Sequence, residues 1–330
     1  MLSLNRSAFA ALLSLTLCSM GVAPGHAAEK FPSHPIQLIV PTPPGGGTDV
    51  ASRLLASIAE KSLGQKILVL NKPGAGGAIG VQAMLGAKPD GYTIAGVWNA
   101  PMTVTPHMFK VSYDLNSYVP IVLSDVAPQV FCVMKDFPAS DGKAFLQTLK
   151  DNPNKYTYGT DGVSGTVHLA AELIFASTGI KQRAVPYGGA GETLEAFLGG
   201  HVDIYGGSIP PILPFVQKGS VKCLMSTSAD SNKTLPQAAS LSELGAPHDE
   251  TLLWHAIVAP AQIPPDRLAV LEHAFQDAAH SEKYQAFAAN QGETAVAWGS
   301  KQSTEAINKE YVAYGKVISD LGLQRKDANP

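Results

Sequence analysis

The chain has 330 residues, 45% of them hydrophobic and 15% charged, and its formal net charge is −3. This length suits two domains, and a charge near zero without clustered Lys and Arg excludes a nucleic-acid surface. The three cysteines and nine histidines form no CxxC or Cys/His metal spacing, so neither a metal nor a cofactor is expected.

The N-terminal segment 1–27 has the pattern of a secretory signal peptide. Arg6 precedes a short apolar run over residues 8–20, and small residues follow up to Ala27, after which cleavage is expected. The run is shorter than the roughly 20 apolar residues of a membrane anchor. A leucine precedes Cys18, where a lipoprotein signal has a small residue. The mature protein is therefore predicted to be exported and soluble.

The mature chain begins with alternating strand and helix patterns, which predict an α/β fold built on a largely parallel sheet. The buried strand IQLIVP leads into the glycines of PPGGGTDV. Val50, Leu54 and Ile58 recur every four residues with Ala51 and Leu55 beside them, and they predict one apolar face of a helix that ends at a Gly64 cap. Next come the strand KILVL, the glycine-rich turn NKPGAGGAIG, a helix, the turn PDGYT and the strand TIAGVW.

A second α/β unit is predicted after Pro128, which breaks VPIVLSDVAPQVFCVM into two strands. Helices are expected in KAFLQTLKD, VHLAAELIFAST and GETLEAFLGG, and strands in KYTYGT, RAVPYGG, HVDIYGG and SVKCLMST. After a polar stretch come the strand WHAIVAP and the helix PPDRLAVLEHAFQDAAH, with Pro265 near its first position. The last helix carries one apolar stripe, which includes Ile307, Tyr314 and Ile318.

Two glycine-rich turns share one construction, in which a strand enters the turn and a helix begins directly after it. We call PPGGGTDV, residues 43–50, the first glycine loop, and YGTDGVSGTVHL, residues 158–169, the second glycine loop. The first N–H groups of a helix lack partners within it and attract anions together with the helix dipole. Glycine lets a ligand oxygen approach these amides without meeting a side chain. The loops therefore predict two sites for small anionic groups, with tight turns that serve packing alone as the alternative.

The residue types in the loops favour a carboxylate over a phosphate. Neither loop contains Lys or Arg, neither matches the P-loop or dinucleotide pattern, and each carries an acid, Asp49 or Asp161. Three or four N–H bonds of roughly 1.5–3 kcal/mol each could offset the desolvation of a carboxylate. Asp49 has two interpretations: it caps its own helix, or it or Asp161 accepts from a bound water or a ligand ammonium group.

Two cysteines of the mature chain, Cys132 and Cys223, lie in strand patterns. An oxidising compartment would allow them to pair. We predict two buried thiols instead, because free cysteine is a common small core residue.

Six segments together resemble the Bug family, the periplasmic solute receptors of tripartite tricarboxylate transporters. They cover essentially the whole mature chain: HPIQLIVPTPPGGGTDVASRLLA, LGQKILVLNKPGAGGAIG, KPDGYT, YGTDGVSGTVHLAAELIF, VPYGGAGETLEAFLGGHVDIYGGS and LPQAASLSELGAP. The resemblance implies a two-domain, type II-like periplasmic-binding-protein fold with a ligand cleft between domains joined by a hinge. It also implies a small organic carboxylate as ligand, a monomer without enzymatic activity, and membrane transporter subunits or a sensor kinase as partners.

The implied organisation has the signal peptide in 1–27, domain 1 in 28–125 and 252–330, and domain 2 in 126–251. We expect the chain to cross between the domains near residues 125–129 and again near 228–252. Each domain would contribute one glycine loop, and the ligand would stabilise a closed state through bonds to both loops.

The resemblance places the ligand carboxylate on the backbone of both glycine loops. The positions that carry over are Gly45, Gly46, Gly47, Thr48, Asp49, Thr160, Gly162, Val163, Ser164 and Gly165. The candidate site also includes neighbours of the loops and of strand ends, namely Thr42, Pro43, Trp98, Asn99, Asp161, Thr166, His168, Tyr187 and Ser208.

Two positions depart from the family pattern. Thr42 stands where the family has an aromatic residue, and Ser164–Gly165 replaces the family's Gly-Ser, which shifts the hydroxyl by one residue. Trp98 either replaces the lost aromatic wall, which would favour an aromatic acid, or packs at a strand edge. His168 either reaches the pocket or is an ordinary helix residue.

An exported hydrolase is the rival of a different class. The segment GVSGT lacks the last glycine of GxSxG, and the SxxK match at Ser140 has no SDN or KTG partner, so a helix N-cap explains that serine. His273, Asp277 and His280 share a helix face, for which solvent exposure is expected rather than a metal. Among binding proteins, the rival ligand is an amino acid or another zwitterion.

Overall fold

The computed structural model describes residues 30–162, 165–187 and 190–324. The predicted signal peptide and the loop residues Val163 and Ser164 lie outside the described residues. The described strands are β1 (Ile36–Val40), β2 (Ile67–Asn71), β3 (Thr93–Trp98), β4 (Tyr118–Pro128), β5 (Val130–Met134), β6 (Thr157–Thr160), β7 (Arg183–Pro186), β8 (Ile204–Gly207), β9 (Val221–Ser226), β10 (Leu252–Pro260) and β11 (Thr294–Gly299). The α-helices are α1 (Gly47–Leu63), α2 (Ala78–Leu85), α3 (Thr105–Met108), α4 (Gly142–Asp151), α5 (Thr166–Thr178), α6 (Ala190–Leu198), α7 (Ile209–Gln217), α8 (Pro265–His280), α9 (Glu282–Asn290) and α10 (Ser300–Asp320).

The strands form two sheets, each of mixed direction. The first sheet has the order β11-β4-β10-β3-β1-β2 and the second the order β7-β6-β8-β5-β9. Strands β1, β2 and β3 are parallel, as are β6, β7 and β8. Every other pairing is antiparallel. The expectation of a largely parallel sheet was therefore wrong, because the chain leaves the first sheet along β4 and returns along β10 in the opposite direction.

The helix after the first glycine loop has the predicted end and most of the predicted buried face. Gly64 adopts a left-handed conformation with φ 67° and donates its N–H to the carbonyl of Glu60, as expected for a C-cap. The predicted residues Ala51 and Leu55 are buried, and Leu54 and Ile58 pack against the same core. Of the five predicted residues only Val50 is exposed.

Helices α7 and α9 and strand β11 were not predicted from the sequence. Helix α7 contains Pro210 and Pro211 in its first turn and Pro214 in its interior. Prolines in the first turn cost nothing, because the N–H groups there have no partner within the helix. A proline-rich segment nevertheless has the composition of a loop, which hid this helix.

The prediction of two free thiols was wrong, because Cys132 and Cys223 form a disulfide. The two cysteines are direct partners in the register of the antiparallel strands β5 and β9. Sequence patterns identified both strands but not their pairing, and it is the pairing that brings the two sulfur atoms together.

The two crossing segments between the sheets run side by side. Pro128 is the strand partner of Leu252, and Ala127 is the partner of Leu253. Helix α10 also contacts a helix that belongs to the second sheet: its residue Tyr314 packs in one apolar cluster with Leu169 of α5. Among the helices of the described residues, none is both long and apolar enough to cross a membrane.

Candidate functional site

A cleft of about 330 Å³ lies between the two sheets, beside the crossing segments. We call it the intersheet cleft. Among the predicted site residues it is lined by Trp98, Asp161, Gly165, Thr166 and Ser208. Its other lining residues are Ala100, Ala127, Pro128, Gln129, Val167, Gly206, Gly207 and Leu253. The described lining therefore contains an acid and a tryptophan but no lysine or arginine.

In the second glycine loop, the Asp161 side chain folds back onto the start of α5. Asp161 accepts hydrogen bonds from the backbone N–H of Val167 and from Thr166 Oγ1, both at 3.1 Å. A Cβ at Gly165 would collide with this carboxylate, so the chain's own packing requires glycine there. Burial raises the pKa of Asp161. Some of the N–H groups at the start of α5 that were predicted to bind a ligand therefore bind Asp161 instead.

The first glycine loop lines a different hollow, of about 240 Å³. Its lining consists of Gly45, Gly47, Val50, Phe287, Gln291 and Glu293. All six lie on the helices packed against the first sheet or on the loops beside them. The described residues of the two glycine loops therefore line two different cavities.

Asp49 has the contacts of a structural cap. Its carboxylate accepts from the Gly45 N–H at 2.9 Å and from Asn71 Nδ2 at 2.8 Å, and it pairs with Arg53 Nε at 3.0 Å. Burial opposes the charge, but these hydrogen bonds and the Arg53 charge hold the pKa of Asp49 below its usual value. This geometry matches the capping interpretation of Asp49.

The start of α1 has backbone donors without a partner. The N–H groups of Gly46, Gly47 and Thr48 have no acceptor among the described residues. The three glycines of the loop are exposed, whereas Thr48 is buried. Gly45 has φ 87°, a left-handed conformation that favours glycine. Free N–H groups at the N-terminus of a 17-residue helix form an anion-binding arrangement.

Several predicted residues shape the second glycine loop without lining the cleft. The N–H of Tyr187 donates to the carbonyl of Thr160 at 3.0 Å, and Thr160 Oγ1 donates to the carbonyl of Gly162 at 3.1 Å. His168 Nε2 lies 3.9 Å from Glu172 Oε1, and burial lowers the pKa of His168.

The remaining predicted residues lie near the ends of β1 and β3. Pro43 is exposed. Thr42 Oγ1 and Asn99 Oδ1 are buried without a hydrogen-bond partner among the described residues, and Asn99 Nδ2 donates to the carbonyl of Leu252 at 3.4 Å.

Sequence analysis missed one polar residue of the intersheet cleft, Gln129. It follows Pro128 at the point where the chain crosses from β4 to β5, and its Nε2 donates to Thr166 Oγ1 at 2.8 Å. The only available signal was a polar residue between two buried strand patterns. Such a residue is ordinary in a loop and acquires its position only when both sheets are assembled.

The residues considered for a hydrolase or a helix-bound metal have ordinary surface roles. Asp141 is the N-cap of α4, and Ser140 Oγ donates to its carboxylate at 2.8 Å. His273 and Asp277 lie 3.6 Å apart on α8, with side chains 77% and 55% exposed. The N-cap role predicted for Ser140 thus belongs to the next residue.

A buried charged cluster joins the two crossing strands. Asp125 on β4 accepts from His255 Nδ1 on β10 at 2.7 Å, from Ser124 Oγ at 2.6 Å and from the Tyr284 hydroxyl. Glu293 Oε1 lies 4.0 Å from His255 Nδ1. The donor atoms of Asp125, His255 and Glu293 lie within 4.8 Å of one another. The 2.7 Å contact is that of a hydrogen-bonded ion pair rather than of two ligands arranged around one ion.

The cluster shifts the pKa of each member. Burial opposes charge on His255, but the Asp125 carboxylate raises the pKa of His255 to about 9. Burial likewise opposes charge on Asp125, and His255 holds the pKa of Asp125 below its usual value. Burial, with a contribution from Asp125, raises the pKa of Glu293 to about 8.

We expect the free energy of unfolding to fall as the pH rises from 6.5 to 9. His255 has its pKa raised above the ordinary 6.5, so its contribution is complete below pH 6.5 and is lost as the pH passes 9. The folded state also holds a proton on Glu293 up to about pH 8, which adds to the fall. Each proton contributes about 1.4 kcal/mol per pH unit. Urea unfolding across this range measures the slope.

The variant Glu293→Gln removes the titration of Glu293 and is expected to reduce the slope below pH 8. A wild-type stability that is flat or rising between pH 6.5 and 9 would contradict the assignment of the buried charges.

Comparison with known proteins identifies relatives along nearly the whole chain. The model of the family described as "Tripartite tricarboxylate transporter family receptor" matches residues 51–323. A UPF0065 protein of Bordetella pertussis is 32% identical over 310 residues, which cover 94% of this chain and 96% of that protein. The protein BugT of the same organism is 30% identical over 330 residues, which cover 98% of this chain and 100% of that protein.

Solved structures share the fold. A TctC solute-binding protein from Polaromonas has a TM-score of 0.81 at 28% identity, covering 88% of this chain and 99% of that one. Two Rhodopseudomonas palustris structures at 23% identity, Rpa4515 with adipate and MatC with malate, have TM-scores of 0.70 and 0.67 and cover 88% and 87% of this chain, and 98% and 100% of their own. These findings confirm the predicted family and the predicted two-domain α/β fold of a periplasmic solute-binding protein.

Proposed function

Since the chain belongs to the family of tripartite tricarboxylate transporter receptors, we propose that it captures a small organic carboxylate in the periplasm and delivers it to a membrane partner. The observation that carries this proposal is the exposed start of α1, where three backbone N–H groups lack an acceptor among the described residues. A carboxylate suits this site because such amides stabilise one negative charge without a cationic side chain. Adipate and malate, bound by two proteins of this fold, are carboxylates as well.

The proposed ligand bridges the two sheets. Its carboxylate binds Gly46, Gly47 and Thr48 of the first glycine loop, and its other end enters the intersheet cleft beside Trp98. The two crossing segments bend to bring the glycine loops together, and the ligand favours this closed state through bonds to both sides. The proposed contacts are those predicted from the sequence, with Gln129 added.

The carboxylate is common to the three solute classes that the sequence predicts, which are di- or tricarboxylates, aromatic acids and zwitterions. The proposed partners are the membrane subunits of a tripartite tricarboxylate transporter. A periplasmic sensor is the second role that the sequence predicts. Both roles use the same capture step, in which the solute is bound without being chemically changed.

A thermal-unfolding panel tests the proposal. A ligand at ~100 times its Kd adds about 2.7 kcal/mol of stability, which raises the Tm of a protein of this size by several degrees. The panel contains malate, adipate, citrate, benzoate and glutamate, and the uncharged dimethyl ester of adipate as control. We expect at least one carboxylate to raise the Tm and the ester not to do so.

The proposal is overturned if no carboxylate raises the Tm, or if the ester stabilises as strongly as adipate. Recovery of chemically altered solute after incubation would favour the hydrolase instead.

A further inference from the structure

Gln129 occupies a central position in the intersheet cleft. Its side chain lines the cleft, and the residue is only 5% exposed. Its backbone N–H donates to Thr227 Oγ1 at 3.0 Å, and its carbonyl accepts from the N–H of Thr227 at 2.9 Å. The backbone of Gln129 is therefore held by Thr227, the residue that follows β9.

The hydrogen bonds around Thr166 determine which end of the Gln129 amide is available. Thr166 Oγ1 donates its single proton to the Asp161 carboxylate. The same oxygen can therefore only accept from Gln129, so the NH₂ group of Gln129 must face Thr166. The opposite atom, Gln129 Oε1, is buried and has no hydrogen-bond partner among the described residues. A residue of the cleft lining thus carries a buried acceptor that lacks a donor among the described residues.

Asp161 provides a second acceptor, and it has no ion-pair partner among the described residues. Its donors are the Thr166 hydroxyl and the backbone N–H groups of Asp161, Thr166 and Val167, all of them neutral. The titratable groups that act on it are His168 of α5, Tyr205 of β8 and Tyr314 of α10. Burial lowers the pKa of His168 below its usual value, so this imidazole is uncharged at neutral pH. A tyrosine carries no positive charge in either of its protonation states.

The acid of the first glycine loop has the opposite environment. Asp49 pairs with Arg53 at 3.0 Å and also accepts from Asn71, so its charge is already balanced. Of the two loop acids, only Asp161 faces the intersheet cleft. Trp98 lines the same cleft, and the face of an indole ring attracts cations.

We propose that Asp161 and Gln129 Oε1 bind a protonated amine of the solute, so that the receptor selects amino-carboxylates over dicarboxylates of the same length. This inference rests on the proposed function, which supplies the carboxylate end at the first glycine loop. The ammonium group donates to Gln129 Oε1 and to the Asp161 carboxylate, and it balances the charge of Asp161. A second carboxylate at this position would face the Asp161 charge with no cation in the described lining.

Isothermal titration with chain-length pairs tests the proposal. The probes are β-alanine, 4-aminobutanoate and 5-aminopentanoate, each compared with malonate, succinate or glutarate, and the α-amino acids glutamate and leucine. We expect the best amino-carboxylate to bind at least tenfold more tightly than its dicarboxylate partner. The variant Asp161→Asn is expected to weaken that amino-carboxylate 10- to 100-fold, the range for hydrogen bonds to a charged group, and to strengthen the dicarboxylate.

Asparagine has the size of aspartate and keeps an acceptor oxygen for the Val167 N–H, so Asp161→Asn should keep the Tm of the wild type. Asp141→Asn, at the N-cap of α4 away from the cleft, is the matched control and should leave both affinities unchanged. Gln129→Met keeps the size of the side chain but removes the acceptor. It should weaken the amino-carboxylate about tenfold.

Dicarboxylates that bind more tightly than every amino-carboxylate would overturn this inference and leave the proposed function intact. The same holds if Asp161→Asn and Asp141→Asn leave the amino-carboxylate affinity equally unchanged. Absence of binding by all probes, together with an unresponsive thermal panel, would instead overturn the proposed function.

Discussion

Replacing Asp125 with asparagine is expected to lower the free energy of unfolding by about 3 kcal/mol, the lower end of the cost of breaking a buried ion pair. Asp125 is 1% exposed and His255 is 7% exposed. The substitution keeps the shape of the side chain but removes the charge that balances His255. It also places an NH₂ group or a neutral oxygen opposite the donors Ser124 and Tyr284. Urea unfolding of the mature chain at pH 6.5 measures the loss.

The chain offers a matched control on its surface. Asp277 pairs with His273 at 3.6 Å in an exposed position, where an ion pair contributes less than about 1 kcal/mol. Asp277→Asn should therefore be nearly neutral. Equal effects of Asp125→Asn and Asp277→Asn would mean that burial does not strengthen the Asp125–His255 pair.

Replacing Gly46 with valine is expected to weaken carboxylate binding about 100-fold or more without unfolding the protein. Two charge-assisted hydrogen bonds of about 1.5 kcal/mol each account for this factor, because the valine methyl groups would cover the exposed amides. Gly46 has φ −72° and ψ 162°, an extended conformation that any residue adopts. A Cβ there would lie 3.6 Å from the Pro43 carbonyl oxygen, an ordinary contact.

The measurement is titration with the best ligand of the thermal panel, accompanied by a melting curve of each variant. Gly86→Ala, at the C-cap of α2, is the control. A Cβ there lies 3.4 Å from the Gln82 carbonyl oxygen, again an ordinary contact. An unchanged affinity in Gly46→Val would remove the first glycine loop from the binding site.

The sequence predicted the local elements well wherever one pattern determined them. The strand IQLIV, the helix that follows it and the left-handed cap at Gly64 depend on neighbouring residues only, and the structure has all three. The mixed direction of the sheets and the Cys132–Cys223 disulfide depend on which strands become neighbours. Those contacts join residues far apart in the chain, and hydrophobic periodicity carries no information about them.

In the candidate site, too, the sequence indicated the local features but not the contacts between distant residues. Glycines at two helix starts indicated two backbone donor groups, and at α1 three of these donors have no acceptor among the described residues. The sequence could not indicate that Asp161 folds back on α5 or that Gln129 reaches Thr166. Each of these contacts depends on side-chain directions that arise only when the loop, the crossing segment and the helix pack together.

The order of the strands has a consequence for synthesis on the ribosome. Every strand of the second sheet lies between Val130 and Ser226, so that sheet has all its strands as soon as this stretch has emerged. The first sheet also needs β10 and β11, which are made last. Domains fold as their residues become available. The second sheet, which begins later in the chain, can therefore fold first. Strands β1, β2 and β3 can complete their sheet only after β10 and β11 have been synthesised.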